Sequence, residues 1–516
     1  MTTAPRVKPA TVYLVGAGPG DPGLITIRAV ECLKLADLVL YDYLANPAVL
    51  EHASPNAELM CLGHHRTGRT LSPDEITTRM VEQARTGRTV VRLKGGDPSI
   101  FGRGSDEAEA LRSAGIPFEI VPGITTALAA AALCEIPITH HEDASAVAFV
   151  TGRERDGKSE SQLNQSALAA FPGTLVIYMG VKRAERWCRE LIEHGKPPET
   201  PVAIVRWVSR AQQHMVRCTL ATVADVIRRD DLRPPAVFIV GDVVDRVPPR
   251  SWFTERPLYG TRMLVLGAPA GARELRDRLA ALGADVILQP TVRITDPTDW
   301  APVDAALDRL DEYDWLLFPG VYEIDFLIRR VLDRGGDVRR FADVKLATVG
   351  SSAAERLTSY HLRSNLVIEQ SDADSLTEAV QREMHDRRVL SVGGGHDRSA
   401  LGESLPSVAA RVDEIAVHDS VDVEAADPEV AEALHAGAID WVVVMSPAAA
   451  DSLVRRYGCA FGGTPFLSIG PGTSAALRNL GCAPVREASR STTEGLVEAI
   501  LDPAVRACDH AALLRV

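Results

Sequence analysis

The chain has 516 residues, 46% hydrophobic and 24% charged, with 56 basic against 69 acidic side chains and a net charge of −13. At roughly 150 residues per domain, that length fits about three folding units of ordinary soluble composition. Residues 1–256 hold 30 basic and 30 acidic side chains, so residues 257–516, with 26 and 39, carry the whole excess. Neither half has the basic surplus with which a nucleic-acid binder displaces counterions. The longest unbroken apolar run, residues 127–134, is far short of a bilayer span. The first ten residues lack the apolar stretch of a signal peptide, and the eight cysteines form no CxxC or Cys/His metal spacing. The expectation is a cytoplasmic protein with no metal, no membrane contact and no nucleic-acid partner, made of two proteins joined end to end.

In the first half, short β-branched runs at 11–15, 38–41, 89–93 and 118–121 alternate with helical stretches at 26–35, 73–85, 105–114 and 125–134. That alternation favours α/β units with parallel strands. A second series of strands follows at 146–151, 174–179, 201–208, 214–219 and 236–240, after a polar loop at 153–166. Residues 247–257, VPPRSWFTERP, contain three prolines and read as a linker. Beyond it, strands at 262–266, 285–288, 315–318, 345–349, 388–392 and 441–445 and a helix at 274–282 restart the alternation. Short apolar strands fit a sheet covered by helices on both faces, here in a separate bilobed α/β unit.

Three loops carry candidate chemistry. GAGPGDPG, residues 16–23, contains a formal G-x-G-x-x-G at Gly18, Gly20 and Gly23, and Asp42 ends the next strand. A dinucleotide site, and hence a dehydrogenase, is an open reading. Pro19 and Pro22 weigh against it, because they remove N–H donors from the turn that would cradle a pyrophosphate. RLKGGDPSIFGRG, residues 92–104, again follows a strand; its paired glycines let a ligand approach the backbone, and Asp97 adds a carboxylate. Two such loops at carboxyl ends of strands suggest one shared crevice. In VPGITTALAAA, Thr125 and Thr126 open a helix. Each loop taken alone is better read as a tight turn or a helix cap than as a site.

Together the loops resemble the uroporphyrinogen-III C-methyltransferase family of tetrapyrrole methylases. VGAGPGDPGLIT, ADLVLYDYL, VVRLKGGDPSIFGRG, GIPFEIVPGIT, IPITH, FVTG and LVIYMG occur in that family's order and spacing over residues 11–244. The resemblance implies two α/β subdomains, about 11–140 and 145–246, in a module spanning 1–246, with S-adenosylmethionine in the cleft between them and a homodimeric assembly. By motif position it puts cofactor contacts on Pro19, Gly95, Gly96, Asp97, Ile100, Thr125, Thr126, Met179 and Val208, and the proton acceptor on Asp42. The family's Lys-Arg pair after the third strand is replaced by His64 and His65, so His64 stands where the proton-donating lysine would be. Thr-His-Arg becomes Thr139-His140-His141, leaving His141 and Arg103 as the expected substrate contacts. Histidine in place of fixed cations implies methylation that gains from mild acidification.

Residues 258–516 resemble uroporphyrinogen-III synthase, a fold of two α/β lobes crossed twice by the chain. RMLVLGAP, LAALGADVILQPTVRI, DWAPVDAALDRLDEYDWLLF and SIGPGTSAALRNLG carry this resemblance. It implies one lobe of about 258–292 plus 423–516 and another of 293–422. The family's turn after the third strand reads Pro319-Gly320-Val321-Tyr322, and His418 takes the place of a frequent tyrosine. Thr473 matches a cleft threonine; it is equally a helix N-cap. Residues 393–395, three glycines before His396, are an anion-binding turn or a flexible loop. Taken together, the resemblances imply a bifunctional enzyme that closes hydroxymethylbilane to uroporphyrinogen III and methylates that product to precorrin-2. The remaining alternatives for the second half are a degenerate, noncatalytic synthase relative and a bilobed binding module. Because the expected ligand is a polycarboxylate, the acidic excess should lie away from the cleft and some of the second half's arginines should face it.

Overall fold

Buried apolar runs build the first sheet. Strands β1 (Val12–Gly16), β2 (Leu38–Tyr41), β3 (Glu58–Cys61), β4 (Val90–Lys94) and β5 (Phe118–Val121) pair in parallel in the order β3-β2-β4-β1-β5. This computed structural model describes residues 11–63, 71–153, 162–368, 381–394, 409–458, 461, 463–482 and 486–502. Parallel neighbours need crossovers, and helices Ile27–Leu35, Pro73–Arg85 and Gly104–Ser113 lie between the strands. Their starts follow from local chemistry. The Thr26 hydroxyl accepts from the Ala29 N–H, and Ser72 and Glu75 form a reciprocal capping box ahead of Pro73. The edge strand β3 is half exposed, which is why apolar patterning does not reveal it.

The second sheet corrects the parallel expectation. Strands β6 (Val147–Thr151), β7 (Thr174–Tyr178), β8 (Pro201–Arg206), β9 (His214–Thr219) and β10 (Ala236–Val240) take the order β6-β7-β10-β8-β9. Only β6 and β7 run parallel; the other three pairings are antiparallel. The connection 207–213 between β8 and β9 is too short for a crossover, so a hairpin is the available solution.

The chain divides into compact units Met1–Gly260 and Thr261–Val516. Residues 247–257, expected to connect them, pack on the first. Val247 and Phe253 join the core of helix Thr126–Cys134 and β10. The Trp252 indole donates to the Ala132 carbonyl at 3.2 Å, and its backbone N–H donates to Glu135 at 2.8 Å. Phe253 is thus buried in the first unit, while Trp252 lies along its surface, about half exposed.

In the second unit, β11 (Arg262–Gly267), β12 (Asp285–Pro290), β13 (Val292–Thr295), β14 (Trp315–Phe318), β15 (Lys345–Val349), β16 (Leu366–Ile368), β17 (Arg388–Gly394), β18 (Arg411–Asp422), β19 (Trp441–Val444), β20 (Phe466–Ser468) and β21 (Arg486–Glu487) form two sheets. Their orders are β12-β11-β19-β20-β21 and β13-β18-β17-β14-β15-β16, parallel throughout except for β13 against β18. The chain passes between sheets after Pro290 and returns after Asp422. Arg456 ties both crossings, donating to the Ala425 carbonyl at 3.1 Å and the Pro290 carbonyl at 3.2 Å.

Candidate active site

Three loops of the first sheet meet backbone to backbone. A Cβ on Gly123 would fall 2.2 Å from the Gly96 carbonyl oxygen and 2.8 Å from Gly16 Cα. Gly18 and Gly96 exchange backbone hydrogen bonds at 3.2 and 2.8 Å, each at a positive φ open to glycine, 76° and 68°. Asp97 joins the second and third loops: one carboxylate oxygen accepts from Ser99 N–H at 2.7 Å, the other from Gly123 N–H at 2.9 Å. The sequence shows these loops separately; close packing makes them one surface.

That surface faces the end of the second sheet across a cleft of about 910 Å³. Pro19, Gly95, Gly96, Asp97, Ile100, Thr125, Thr126, Met179 and Val208 all line it, as do Asp42 and Arg103. Met179 is left-handed, at φ 56°, and 48% exposed, so its thioether is presented to the opening. Tyr178, just before it, bridges the subdomains. Its hydroxyl lies 2.7 Å from the Thr125 hydroxyl and accepts from the Ala127 N–H at 3.1 Å, in the first turn of helix Thr126–Cys134. Burial pushes the Tyr178 phenol above its ordinary pKa, so it stays protonated. A second bridge runs from the Asp21 N–H to the Ser209 hydroxyl at 2.8 Å.

Asp42 is the exposed end of a charge network. The Arg92 guanidinium donates to Asp42 at 2.6 Å and to Glu107 at 3.0 Å, and the Lys94 ammonium reaches both Glu107 oxygens at 2.8 Å. Side chains of Arg92 and Lys94 are 4% exposed and Glu107 9%, whereas Asp42 keeps 32%. Burial, and then the Arg92 charge, hold the Lys94 ammonium below its ordinary pKa. Two cations and two anions balance, and that balance lets this network persist out of water.

The other expected contacts are placed differently. His64 and His65 lie outside the described residues, as do residues 395 and 396 of the glycine run. Arg103 caps helix Gly104–Ser113 at a left-handed φ of 57° and pairs with Asp106 at 3.2 Å. His141 is not among the residues lining the cleft; its side chain is 81% exposed beside His140. His140, His141 and Glu142 are the group of potential cation ligands found among the described residues, but Arg246 already holds Glu142 and neighbouring Asp143. In the second unit Thr473 is 3% exposed within helix Pro471–Asn479, whose N-cap is Gly470, so the capping alternative for Thr473 falls. His418 is 5% exposed on β18, its Nε2 3.1 Å from Glu323.

Arg92, Lys94, Glu107 and Tyr178 escaped the sequence reading as site residues. A signal existed for two of them: Arg92 and Lys94 are two residues apart, hence on one face of a strand that is otherwise apolar.

Comparison with known proteins bears on both units. The tetrapyrrole (corrin/porphyrin) methylases match residues 11–224, and uroporphyrinogen-III synthase HemD matches residues 273–498. A uroporphyrinogen-III C-methyltransferase of Bacillus subtilis (strain 168) is 38% identical over 352 residues, covering 68% of this chain and 72% of its own. The chain belongs to the uroporphyrinogen-III C-methyltransferase family. Within that family, the S-adenosyl-L-methionine-dependent uroporphyrinogen III methyltransferase of Methanosarcina barkeri (strain Fusaro / DSM 804) is 46% identical over 233 residues, 45% of this chain and 91% of that protein. The porphyrin biosynthesis protein HemD of Ruminiclostridium josui is 29% identical over 493 residues, 95% of this chain and 97% of its own. Among solved structures, the uroporphyrin-III C-methyltransferase of Thermus thermophilus complexed with S-adenosyl homocysteine is 39% identical over 46% of this chain and 99% of that one, at a TM-score of 0.40. Among the described residues no helix is long and apolar enough to cross a membrane.

Proposed function

We propose that this uroporphyrinogen-III C-methyltransferase family member is bifunctional: the first unit methylates uroporphyrinogen III to precorrin-2, and the second closes hydroxymethylbilane to uroporphyrinogen III. The observation that carries the first activity is the cleft, where the glycine loops, Asp97, Met179 and Asp42 converge. Matching of the second unit to the synthase family supports the second. One unit's product is the other's substrate, which gives the fusion a chemical rationale.

The cofactor is S-adenosyl-L-methionine. Its fit rests on glycine loops packed so closely that a Cβ at Gly16 or Gly123 would meet backbone atoms within 2.6 Å, and on helix Thr126–Cys134, which opens on the cleft without a side-chain cap. When bound, it supplies a methyl group on a sulfonium. The chain's own work is to align the reactants, which is where most of the rate gain should arise. Gly95, Gly96, Asp97, Thr125 and Thr126 hold one side and Met179 and Val208 the other, with Pro19 and Ile100 excluding water. Asp42 accepts the proton shed by the methylated pyrrole carbon, while Arg92 keeps one carboxylate oxygen occupied and so orients the other. Arg103 meets a substrate carboxylate. His64 serves as proton donor, and Thr473 and His418 contact the bilane.

Replacing Asp42 with Asn should reduce methyl transfer by about 100-fold or more while S-adenosylhomocysteine still binds and ring closure continues. Radiolabelled methyl transfer, calorimetric binding and product isomer analysis read the three. Full methyl transfer in that variant would remove Asp42 as the base, and joint loss of both activities would contradict the division of labour. A homodimer through the first unit is the proposed assembly, supported by exposed apolar side chains at Ile27, Ile120 and Leu128. A cytoplasmic location is supported by the described cysteines, all of which are free.

A further inference from the structure

The turn between β8 and β9 is held in a conformation that its own residues disfavour. Trp207 and Ser209, on either side of Val208, are left-handed at φ 50° and 66°, and neither is glycine. Such backbone persists only where neighbouring groups over-determine it, and it gathers at binding sites. Trp207, Val208 and Arg210 line the cleft. On the first-sheet side, the Ser209 hydroxyl accepts from the Asp21 N–H at 2.8 Å, and the Arg210 guanidinium donates to the Leu44 carbonyl at 3.1 Å. Gln213, 3% exposed, closes the turn on its other side. Its side-chain oxygen accepts from the Ser209 N–H at 2.9 Å, and its amide lies 3.5 Å from Cys134 Sγ at the end of helix Thr126–Cys134. Its backbone N–H donates to the Arg210 carbonyl at 2.8 Å, and its own carbonyl accepts from the Tyr259 hydroxyl. Tyr259 follows the proline-rich connector and lies beyond residues 11–224, which the methylases match. Its ring packs edge to face on Phe253 at 5.9 Å, and the Arg256 guanidinium covers Phe253 at 3.8 Å. Phe253 and Val208 share one core. Burial pushes the Tyr259 phenol above its ordinary pKa, so it keeps its proton and remains the donor.

We propose that residues 252–259 are a strap that completes the cofactor site, with Tyr259 and Gln213 as positioning residues that hold the turn around Val208 in its cofactor-binding shape. This rests on the methyl transfer proposed above. No residue of the strap lines the cleft, so its effect passes through the turn. Without the Tyr259 hydroxyl, the Gln213 carbonyl loses its donor, and Gln213 no longer pins Ser209 firmly in the left-handed region. The turn then relaxes and Val208 withdraws from the cleft. Asp42, Asp97 and the glycine loops stand on the first sheet and keep their places, so the loss falls on cofactor affinity and spares the proton acceptor. The methyltransferase accordingly extends through its connector, and the connector's aromatic residues serve binding as well as packing.

The test uses the full chain, with calorimetric binding of S-adenosylhomocysteine, methyl transfer at varied concentrations of each reactant, and circular-dichroism melting. Tyr259→Phe keeps the ring and removes the hydroxyl. It should raise the Kd for S-adenosylhomocysteine and the KM for S-adenosylmethionine about tenfold each. Both kcat and the KM for uroporphyrinogen III should stay within about twofold of wild type. Gln213→Met, similar in shape but without the amide, should give the same split, and the double variant should cost little more than either change alone, because both act on one turn. A tyrosine that only stabilised the fold would lower the melting temperature without separating cofactor from substrate. A wild-type Kd in Y259F, or an equal loss in kcat and in both KM values, overturns the strap. Should Y259F lose its cooperative melt, the split in Q213M decides by the same criteria. Wild type that bound no S-adenosylhomocysteine would instead remove the methyl transfer on which the strap rests.

Discussion

Tyr178 joins the two halves of the methyltransferase cleft with one hydroxyl group. It meets Thr125 and the first turn of helix Thr126–Cys134, so its loss would strand a buried N–H and an alcohol. Leaving such groups unmatched costs about 1–3 kcal/mol, and tenfold in an equilibrium constant lies in the lower half of that range. Tyr178→Phe should therefore weaken S-adenosylhomocysteine binding about tenfold in calorimetry while the protein melts cooperatively; an unchanged Kd would make this bridge irrelevant to the cofactor side. Legibility at this scale depended on motif against context. Asp42, Asp97 and the loop glycines stand in patterns readable along the chain, whereas Glu107 joins the network only because its helix lays it beside Arg92 and Lys94, 15 and 13 residues back in sequence. Such a partner has no local mark.

Among elements, the decisive feature is the convergence of three loops through glycines. Gly123→Ala places a methyl 2.2 Å from the Gly96 carbonyl, a backbone atom that cannot swing aside. The first sheet should still form, since Gly123 lies beyond β5, but the cradle should open. The expected outcome is loss of S-adenosylhomocysteine binding by about 100-fold or more with near-wild-type far-ultraviolet dichroism; binding at wild-type strength would show that the loops tolerate separation. Parallel α/β alternation was readable for the first sheet, where helices with clear caps separate the strands. It misled for the second, because β8 is as apolar and β-branched as a parallel strand; the partly exposed, mixed sequence of β9 and the short connection between them are what mark the hairpin. Proline content likewise marked 247–257 as a stiff connector, and did not show that Phe253 packs into the core of the first unit.

At the scale of the whole molecule, the opening charge division takes on a different meaning. Many of the second unit's described arginines are engaged in ion pairs. Arg262, Arg330, Arg356, Arg388 and Arg411 each pair with an aspartate of the same unit. These are surface pairs of modest worth, and they tie part of the unit's charge into local contacts. The most direct measurement follows the purified chain given hydroxymethylbilane, first without and then with S-adenosylmethionine, by chromatographic separation of isomers and mass spectrometry. Uroporphyrinogen III without the cofactor, and a product two methyl groups heavier with it, is the predicted result. Type I product alone, with or without the cofactor, would contradict a chain that makes and then methylates its own substrate.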